Sequence, residues 1–378
     1  MTPQPHRPRV LIVSRSFLDP ESRKLIRVLA QSLDIQAVTW RSGPVLIFAN
    51  CEFDEVGSGL FRTVKTLRLF GAQYVFLSLD LGLRRWNPGI LHLEFDPWSV
   101  MFWQALLARR LFSPRARLVC TVKKNTYRPH RGAAGWLKRR LATEGCKRVD
   151  RFLAASSKTA ALYGRLFGVP ASRIGVGSQL GIDTVAFSAG DSLAHEGFVV
   201  GYSGQLEPHK GVTDLVEAVG ALRAEGIDVV LHLIGAGSLA AQLVEKSHRD
   251  EWLRISGAVP RSEIPGFLRG LDLFALPSRI LPDHEEHDAY ALIEAMACGV
   301  PCVGTDSGAI PETLGDAGEI VPAGDVGRLT DTLRELVHDG TRRTRLSADA
   351  RVRAVRHFDL SAVARDRTQM YRELLHDR

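Results

Sequence analysis

Residues 198–237 read FVVGYSGQLEPHKGVTDLVEAVGALRAEGIDVVLHLIGAG, and the fold is decided here. Phe198–Ser203 is a short apolar run that ends on a glycine turn at Gly204. Val212–Glu225 carries apolar residues at helical spacing, and Val229–Ile234 is a second apolar run. Two short, mainly apolar strands joined through a helix make a parallel pair covered on both faces. Downstream the alternation continues. Leu239–Lys246 reads as a helix, and Leu253–Ser256, Leu271–Leu276, Pro301–Gly304 and Glu319–Val321 read as strands. Upstream, Arg9–Val13, Ile35–Trp40, Ile90–Phe95, Arg117–Val122 and Arg151–Ala155 read as strands, with a helix over Ser22–Leu33. The expectation is an α/β protein of two Rossmann-like, doubly wound parallel-sheet domains facing a central cleft. The small and polar stretch Ser188–Gly197 divides residues 1–188 from 198–357. Ligands of such sheets bind at the carboxyl ends of the strands.

The composition agrees. The chain has 378 residues, of which 45% are hydrophobic and 24% charged, enough for two soluble domains and unlike a disordered chain. No apolar run approaches the length of a membrane span, and the N-terminus enters a strand with no signal-peptide core. Cys51, Cys120, Cys146, Cys298 and Cys302 are scattered, with no CxxC pair, so neither a disulfide framework nor a cysteine zinc site is suggested. A cytoplasmic protein is expected. The net charge of +7 is uneven, since residues 1–190 hold 29 Lys and Arg against 12 Asp and Glu. The halves therefore face different partners.

Three segments carry chemistry. Ala289–Cys298 reads as a helix stopped by Gly299 and Pro301, with Glu286 before it and Glu294 within it. The two acids are about 12 Å apart if the intervening turn is helical. Between them lie the N–H groups of a helix start, which favour anions. That suits a ligand with hydroxyls at both ends and a diphosphate between, as in a nucleotide sugar. The residues alone leave open an amphipathic helix with a solvated acidic first turn. Lys210 stands just before the helix at Val212, where an ammonium can reach phosphate. Gly235 and Gly237 permit close backbone approach after a strand. Solvated-lysine and plain-turn readings stay open for both.

Together these segments resemble the GT4-type family of retaining glycosyltransferases with the GT-B fold (glycosyltransferase group 1). The motifs are GQLEPHKG at Gly204–Gly211, LIGAG at Leu233–Gly237, GAVP at Gly257–Pro260 and DLFALPS at Asp272–Ser278. The Glu-x7-Glu pair Glu286–Glu294, ACGVP at Ala297–Pro301 and IPE at Ile310–Glu312 complete the run. LAASSKTA at Leu153–Ala160 and LGIDTVAF at Leu180–Phe187 agree with it. The resemblance implies that Glu286 contacts the transferred sugar, that Glu294 binds ribose hydroxyls, and that Lys210 binds the diphosphate. Glu286 and Lys210 are then the catalytic candidates. It places Gly204, Gln205, Gly235, Gly237, Val259 and Pro260 along the donor pocket, with the backbone amides of His287, Asp288, Ala289 and Tyr290 as donors. It implies an acceptor-binding first domain, a nucleotide-sugar-binding second domain, and a C-terminal helix at 358–378 returning to the first. The activity implied is retaining and metal-independent transfer of a hexosyl group, with no cofactor beyond the nucleotide diphosphate sugar.

Departures from the family pattern accompany it. Gln205 stands where the family has an arginine on the diphosphate. Ser14, Arg15 and Ser16 replace the usual Gly-Gly loop, and Lys123, Lys124 and Asn125 replace the usual histidine segment; these six are the acceptor-side candidates. The histidines of His284-Glu285-Glu286-His287 are three apart, not the zincin four, so no metal is expected. Glu94-Phe95-Asp96 has a DxD-like look that the two-domain layout argues against. A nucleotide-sugar epimerase of the same fold and a non-catalytic nucleotide-sugar-binding protein are the alternatives. No nucleic-acid motif accompanies the basic half. Arg62, Lys65 and Arg68, beside Leu60, Phe61, Val64, Leu67 and Phe70, read as an amphipathic basic helix, suited either to an anionic membrane surface or to packing on its own sheet with solvated arginines outside. Arg109, Arg110, Arg115, Arg117, Lys138, Arg139 and Arg140 add to the same domain. A lipid-linked or other anionic acceptor, and a peripheral place at the inner face of a membrane, follow as expectations.

Overall fold

The computed structural model describes residues 7–41, 59–68, 74–126, 132–179, 181–190, 197–282 and 284–376. Cys51, Phe70, Leu180 and the 191–196 part of the expected domain boundary lie outside the described residues. The chain divides into two compact units, Met1–Gly181 with Leu360–Arg378, and Ile182–Asp359.

Among the described residues the first unit holds an eight-stranded sheet. Its strands are β1 Arg9–Val13, β2 Asp34–Arg41, β3 Phe61–Arg68, β4 Tyr74–Phe76, β5 Ile90–Leu93, β6 Arg117–Val122, β7 Arg151–Ala154 and β8 Ile174–Val176. Their order is β4-β3-β2-β1-β5-β6-β7-β8, parallel except for the β3–β4 pair. Central β1 shows why such strands read as unbroken apolar runs. Val10 and Ile12 join one core and Leu11 and Val13 the other, all fully buried. The helix Leu360–His376 packs beside Pro20–Ala30, with Val363, Ala364, Tyr371 and Leu374 in the first of those cores.

Among its described residues the second unit holds a six-stranded sheet. Its strands are β9 Phe198–Ser203, β10 Val229–Ile234, β11 Leu253–Ser256, β12 Leu273–Leu276, β13 Cys302–Thr305 and β14 Glu319–Val321. Their order is β11-β10-β9-β12-β13-β14, parallel throughout. Both sheets are thus doubly wound α/β arrangements.

Two expectations need correction. The basic residues Arg62, Lys65 and Arg68 do not lie on an amphipathic helix, since Phe61–Arg68 is strand β3, between β2 and β4. Phe61 and Val64 are three apart, so in a strand they point to opposite faces and enter opposite cores. Arg62, Lys65 and Arg68 share a spacing with no common face there. The chain also changes unit at Gly181/Ile182, ahead of Ser188–Gly197. The reason is packing: Ile182 and Phe187 lie in the core of the second unit, and Ile182 N–H donates to Phe358 O at 2.7 Å.

Candidate functional site

In the second sheet, β9 is flanked by β10 and β12, so the winding reverses between β9 and β12. The loops at the carboxyl ends of these strands diverge there and leave a ligand crevice. Gly204 and Gln205 follow β9, Gly235 and Gly237 follow β10, and Ser278 and Glu286 follow β12.

The glycines are required by contact between loops. A Cβ on Gly235, whose φ is +150°, would lie 1.8 Å from Gly204 O, and one on Gly237 would lie 2.3 Å from Leu206 O. The β9 and β10 loops are joined further by Leu206 N–H to Ala236 O at 2.9 Å, while Tyr202 Oη donates to Gln205 O at 2.7 Å. Gln205 itself is exposed. Gly211, at φ +66°, brings the Lys210 turn against Pro277, whose carbonyl oxygen would be 1.9 Å from an added Cβ.

That close approach sets Lys210 on Glu286. Lys210 Nζ is 2.9 Å from Oε1 and 2.7 Å from Oε2. Ser278 Oγ donates to Oε2 at 2.6 Å, and the Glu286 backbone N–H donates to Ser307 Oγ at 3.2 Å. Thr305 Oγ1 donates to Ser278 O at 2.6 Å and steadies that turn. Burial opposes charge on Glu286, yet the Lys210 charge and the hydrogen bonds from Lys210 and Ser278 outweigh it and hold the carboxyl below its usual range. The turn is anchored again by Arg279, which pairs with buried Asp214 in the first turn of the helix Val212–Ala224.

Glu294 lies inside the helix Tyr290–Ala297 with its side chain 6% exposed. Arg261 Nη2 reaches its Oε1 at 2.6 Å. Ala289 precedes this helix at φ +42°, a left-handed conformation that costs a non-glycine residue about 1 kcal/mol. His209 and His284 have ring centroids 4.1 Å apart, and His287 lies 5.4 Å from His284. Burial lowers the His284 pKa, and His209, His287 and Lys210 lower it further. Burial and Lys210 do the same for His209. Among the described residues, no group of three or more His, Cys, Asp or Glu side chains is arranged to hold a metal. Val259 and Pro260 lie on the loop after β11, ending at the Arg261–Glu263 turn.

The acceptor-side candidates lie at carboxyl ends of the first sheet, with Glu94 in reach of Ser14, Ser16 and Lys123. Ser14 Oγ and Ser16 Oγ are 2.7 Å apart, and Ser16 Oγ donates to Glu94 Oε2 at 3.2 Å, joining the ends of β1 and β5. Glu94 is buried 3.8 Å from Arg367 Nη1. Against burial, His92, Arg367 and Lys123 hold its carboxyl below the usual range. The Arg15 guanidinium sits 5.6 Å from the Tyr74 ring centroid. Lys124 pairs with Asp96 at 2.9 Å. Asn125 Oδ1 accepts from Ser156 Oγ at 2.7 Å and from Thr159 Oγ1 at 2.5 Å, tying the end of β6 to the start of the helix Ser157–Phe167 that follows β7. Glu94 was legible only as part of a DxD look-alike. Ser307 carried no sequence signal, and Arg261 carried only its place after Val259-Pro260.

Residues 187–353 match the family model described as glycosyl transferases group 1, and residues 23–176 match the one described as glycosyl transferase 4-like domain. The chain belongs to the group 1 (GT4) glycosyltransferases. Over 191 residues it is 30% identical to O-antigen chain mannosyltransferase B of Escherichia coli, covering 46% of this chain and 48% of that protein. The match thus spans about half of that relative's length. Over 362 residues it is 26% identical to the GDP-mannose-dependent alpha-(1-6)-phosphatidylinositol monomannoside mannosyltransferase of Mycobacterium tuberculosis, covering 89% and 88%. Among solved structures, the Anabaena protein HepE in complex with UDP-glucose has a TM-score of 0.71 at 17% identity, covering 98% of this chain and 100% of that one. This likeness is one of fold, and the glycosyltransferase has the GT-B pair of parallel-sheet domains.

Proposed function

We propose that this glycosyltransferase moves a hexosyl group from a nucleotide diphosphate sugar to a glycolipid or cell-surface glycan precursor, with retention of anomeric configuration and without a metal ion. The observation that carries this reading is the buried Lys210–Glu286–Ser278 cluster at the reversal point of the second sheet. Glu294 lies on the helix that follows it. Glu286 would meet the sugar and Glu294 the ribose. Lys210 and the amides of 287–290 would stabilise the departing diphosphate. Gly204, Gln205, Gly235, Gly237, Val259 and Pro260 would frame the pocket. Substitution would occur on one face of the sugar, and no side chain is assigned as base.

The relatives named above are transferases, which disfavours the epimerase alternative. GDP-mannose is the first donor to try, since a relative matched over most of this chain uses it by name. Thermal-shift screening of UDP, GDP and ADP sugars should find one stabilising series. Transfer to a lipid-linked acceptor should then proceed undiminished in chelator, with NMR reading the retained anomer. Tight donor binding without transfer or hydrolysis would instead support a non-catalytic binding protein. Loss of transfer in chelator would remove metal independence.

Membrane contact belongs to the same proposal. Among the described residues no helix is long and apolar enough to cross a membrane. With Phe61–Arg68 in a sheet, the surface that suits peripheral contact is the helix Gly132–Lys147. There Trp136 is 61% and Leu137 50% exposed beside Lys138, Arg139 and Arg140.

A further inference from the structure

We infer that Arg261 is a positioning residue of the donor site, holding Glu294 for the ribose hydroxyls and thereby setting the preference for ribonucleotides over their deoxy counterparts. The inference rests on the donor-site reading above, and it adds a residue that the motif comparison did not single out.

The argument begins with an asymmetry. The Glu294 side chain is 6% exposed, and that of Arg261 is 41% exposed. The arginine could remain solvated without a partner, whereas a carboxylate shut inside a protein needs a counter-charge or it takes up a proton. The pair therefore serves the carboxylate. A protonated or rotated Glu294 would be a poorer acceptor for two ribose hydroxyls, because protonation removes the negative charge and turns one acceptor position into an O–H donor.

Geometry makes Arg261 suited to the task. It opens the short turn Arg261–Glu263, directly after Pro260 on the loop following β11. Its guanidinium lies 5.2 Å from the ring centroid of Phe187, a residue 2% exposed in the core of the second unit. A planar guanidinium resting on a fixed aromatic face keeps its fork in one orientation. The charge it brings within 2.6 Å of Glu294 Oε1 is thus fixed in place, and the ion pair holds the carboxylate in turn. Val259 and Pro260 belong to the same loop. A nucleotide seated along that loop would bring its ribose to the carboxylate that Arg261 holds.

The test is calorimetry on the full chain with UDP and GDP and their 2′-deoxy forms, for wild type, Arg261→Ala, Arg261→Lys, Glu294→Ala and the Arg261→Ala/Glu294→Ala double variant. Wild type is expected to bind one ribonucleotide about tenfold more tightly than its deoxy form, the worth of one hydrogen bond to a charged group. Arg261→Ala should collapse that ratio toward one by weakening the ribonucleotide more than the deoxy form, which keeps only its 3′ hydroxyl for Glu294. Arg261→Lys should restore part of the ratio, and the double variant should be no worse than Glu294→Ala alone. A ratio unchanged in Arg261→Ala, or equal weakening of both ligands, overturns the inference and leaves the donor site standing. Wild type binding neither nucleoside diphosphate would overturn the donor reading and the inference with it. Wild type binding without ribose preference would remove the role of Glu294 and so that of Arg261.

Discussion

Lys210 and Glu286 are joined through both carboxylate oxygens, at 2.9 and 2.7 Å, with the two side chains 16% and 9% exposed. The ammonium proposed for the diphosphate is held by the carboxylate proposed for the sugar. Donor binding must therefore let Lys210 share itself between two anions. Glu286→Gln relaxes that hold, so affinity for the bare nucleoside diphosphate should be unchanged or higher while transfer falls by about 10² or more. Lys210→Ala should weaken nucleotide binding about tenfold or more, the worth of a charge-assisted bond. Calorimetry beside initial rates separates the two. Equal loss of nucleotide affinity in both variants would contradict the division of labour.

Gln205 offers an exposed amide where the family has a cation. Gln205→Arg should tighten nucleotide diphosphate binding about tenfold, with turnover unchanged or raised. A clear loss of affinity on titration would remove the diphosphate from this loop.

Gly235→Ala should be severely destabilising. The new Cβ would meet Gly204 O at 1.8 Å, on a residue with φ +150°. A loss of about 3 kcal/mol or more is expected, read as a fall in melting temperature. Gly257→Ala is the control, because nothing lies within 4 Å of its Cβ position. A melting temperature equal to wild type for Gly235→Ala would mean that the two loops are not in contact.

His92 should make the first unit acid-sensitive. Its ring is fully buried between Tyr371 Oη at 2.6 Å and Thr121 Oγ1 at 2.7 Å, and burial lowers its pKa from 6.5 to about 3. The unfolded chain therefore binds the proton first. The contribution is intact above pH about 6.5 and is lost progressively toward pH about 3, amounting to about 2 kcal/mol by pH 5. Melting curves from pH 8 to 5 should show this slope, and His92→Gln should flatten it. A parallel slope in the variant would assign the acid sensitivity elsewhere.

Sedimentation with vesicles tests the helix Gly132–Lys147. Binding should need anionic lipid and fade as salt rises. Trp136→Ala with Arg139→Gln and Arg140→Gln should reduce it, by about 1 kcal/mol for each cation removed. Equal sedimentation with neutral and anionic vesicles at low salt would leave only a soluble anionic acceptor.

The second unit was legible in the amino-acid order. Phe198–Ser203 and Val229–Ile234 are covered on both faces, so burial wrote them as short apolar runs separated by a helix. Gly211, Glu286 and Glu294 stood at recognisable spacings because a turn and a helix start are local structures. Phe61–Arg68 was not legible, since a spacing of three suits one helix face as well as two faces of a strand, and only pairing with β2 and β4 chooses.

What the tertiary structure alone decided is partnership. The order β10-β9-β12-β13 brings together the strand ends that carry Lys210, Ser278, Glu286 and Ser307. Arg261 finds Glu294 from a different loop by the same means. Local periodicity records which face of an element is buried and contains no information on which strand lies beside which. Charge pairing across loops depends on that order, so these contacts exist only once the sheet is assembled.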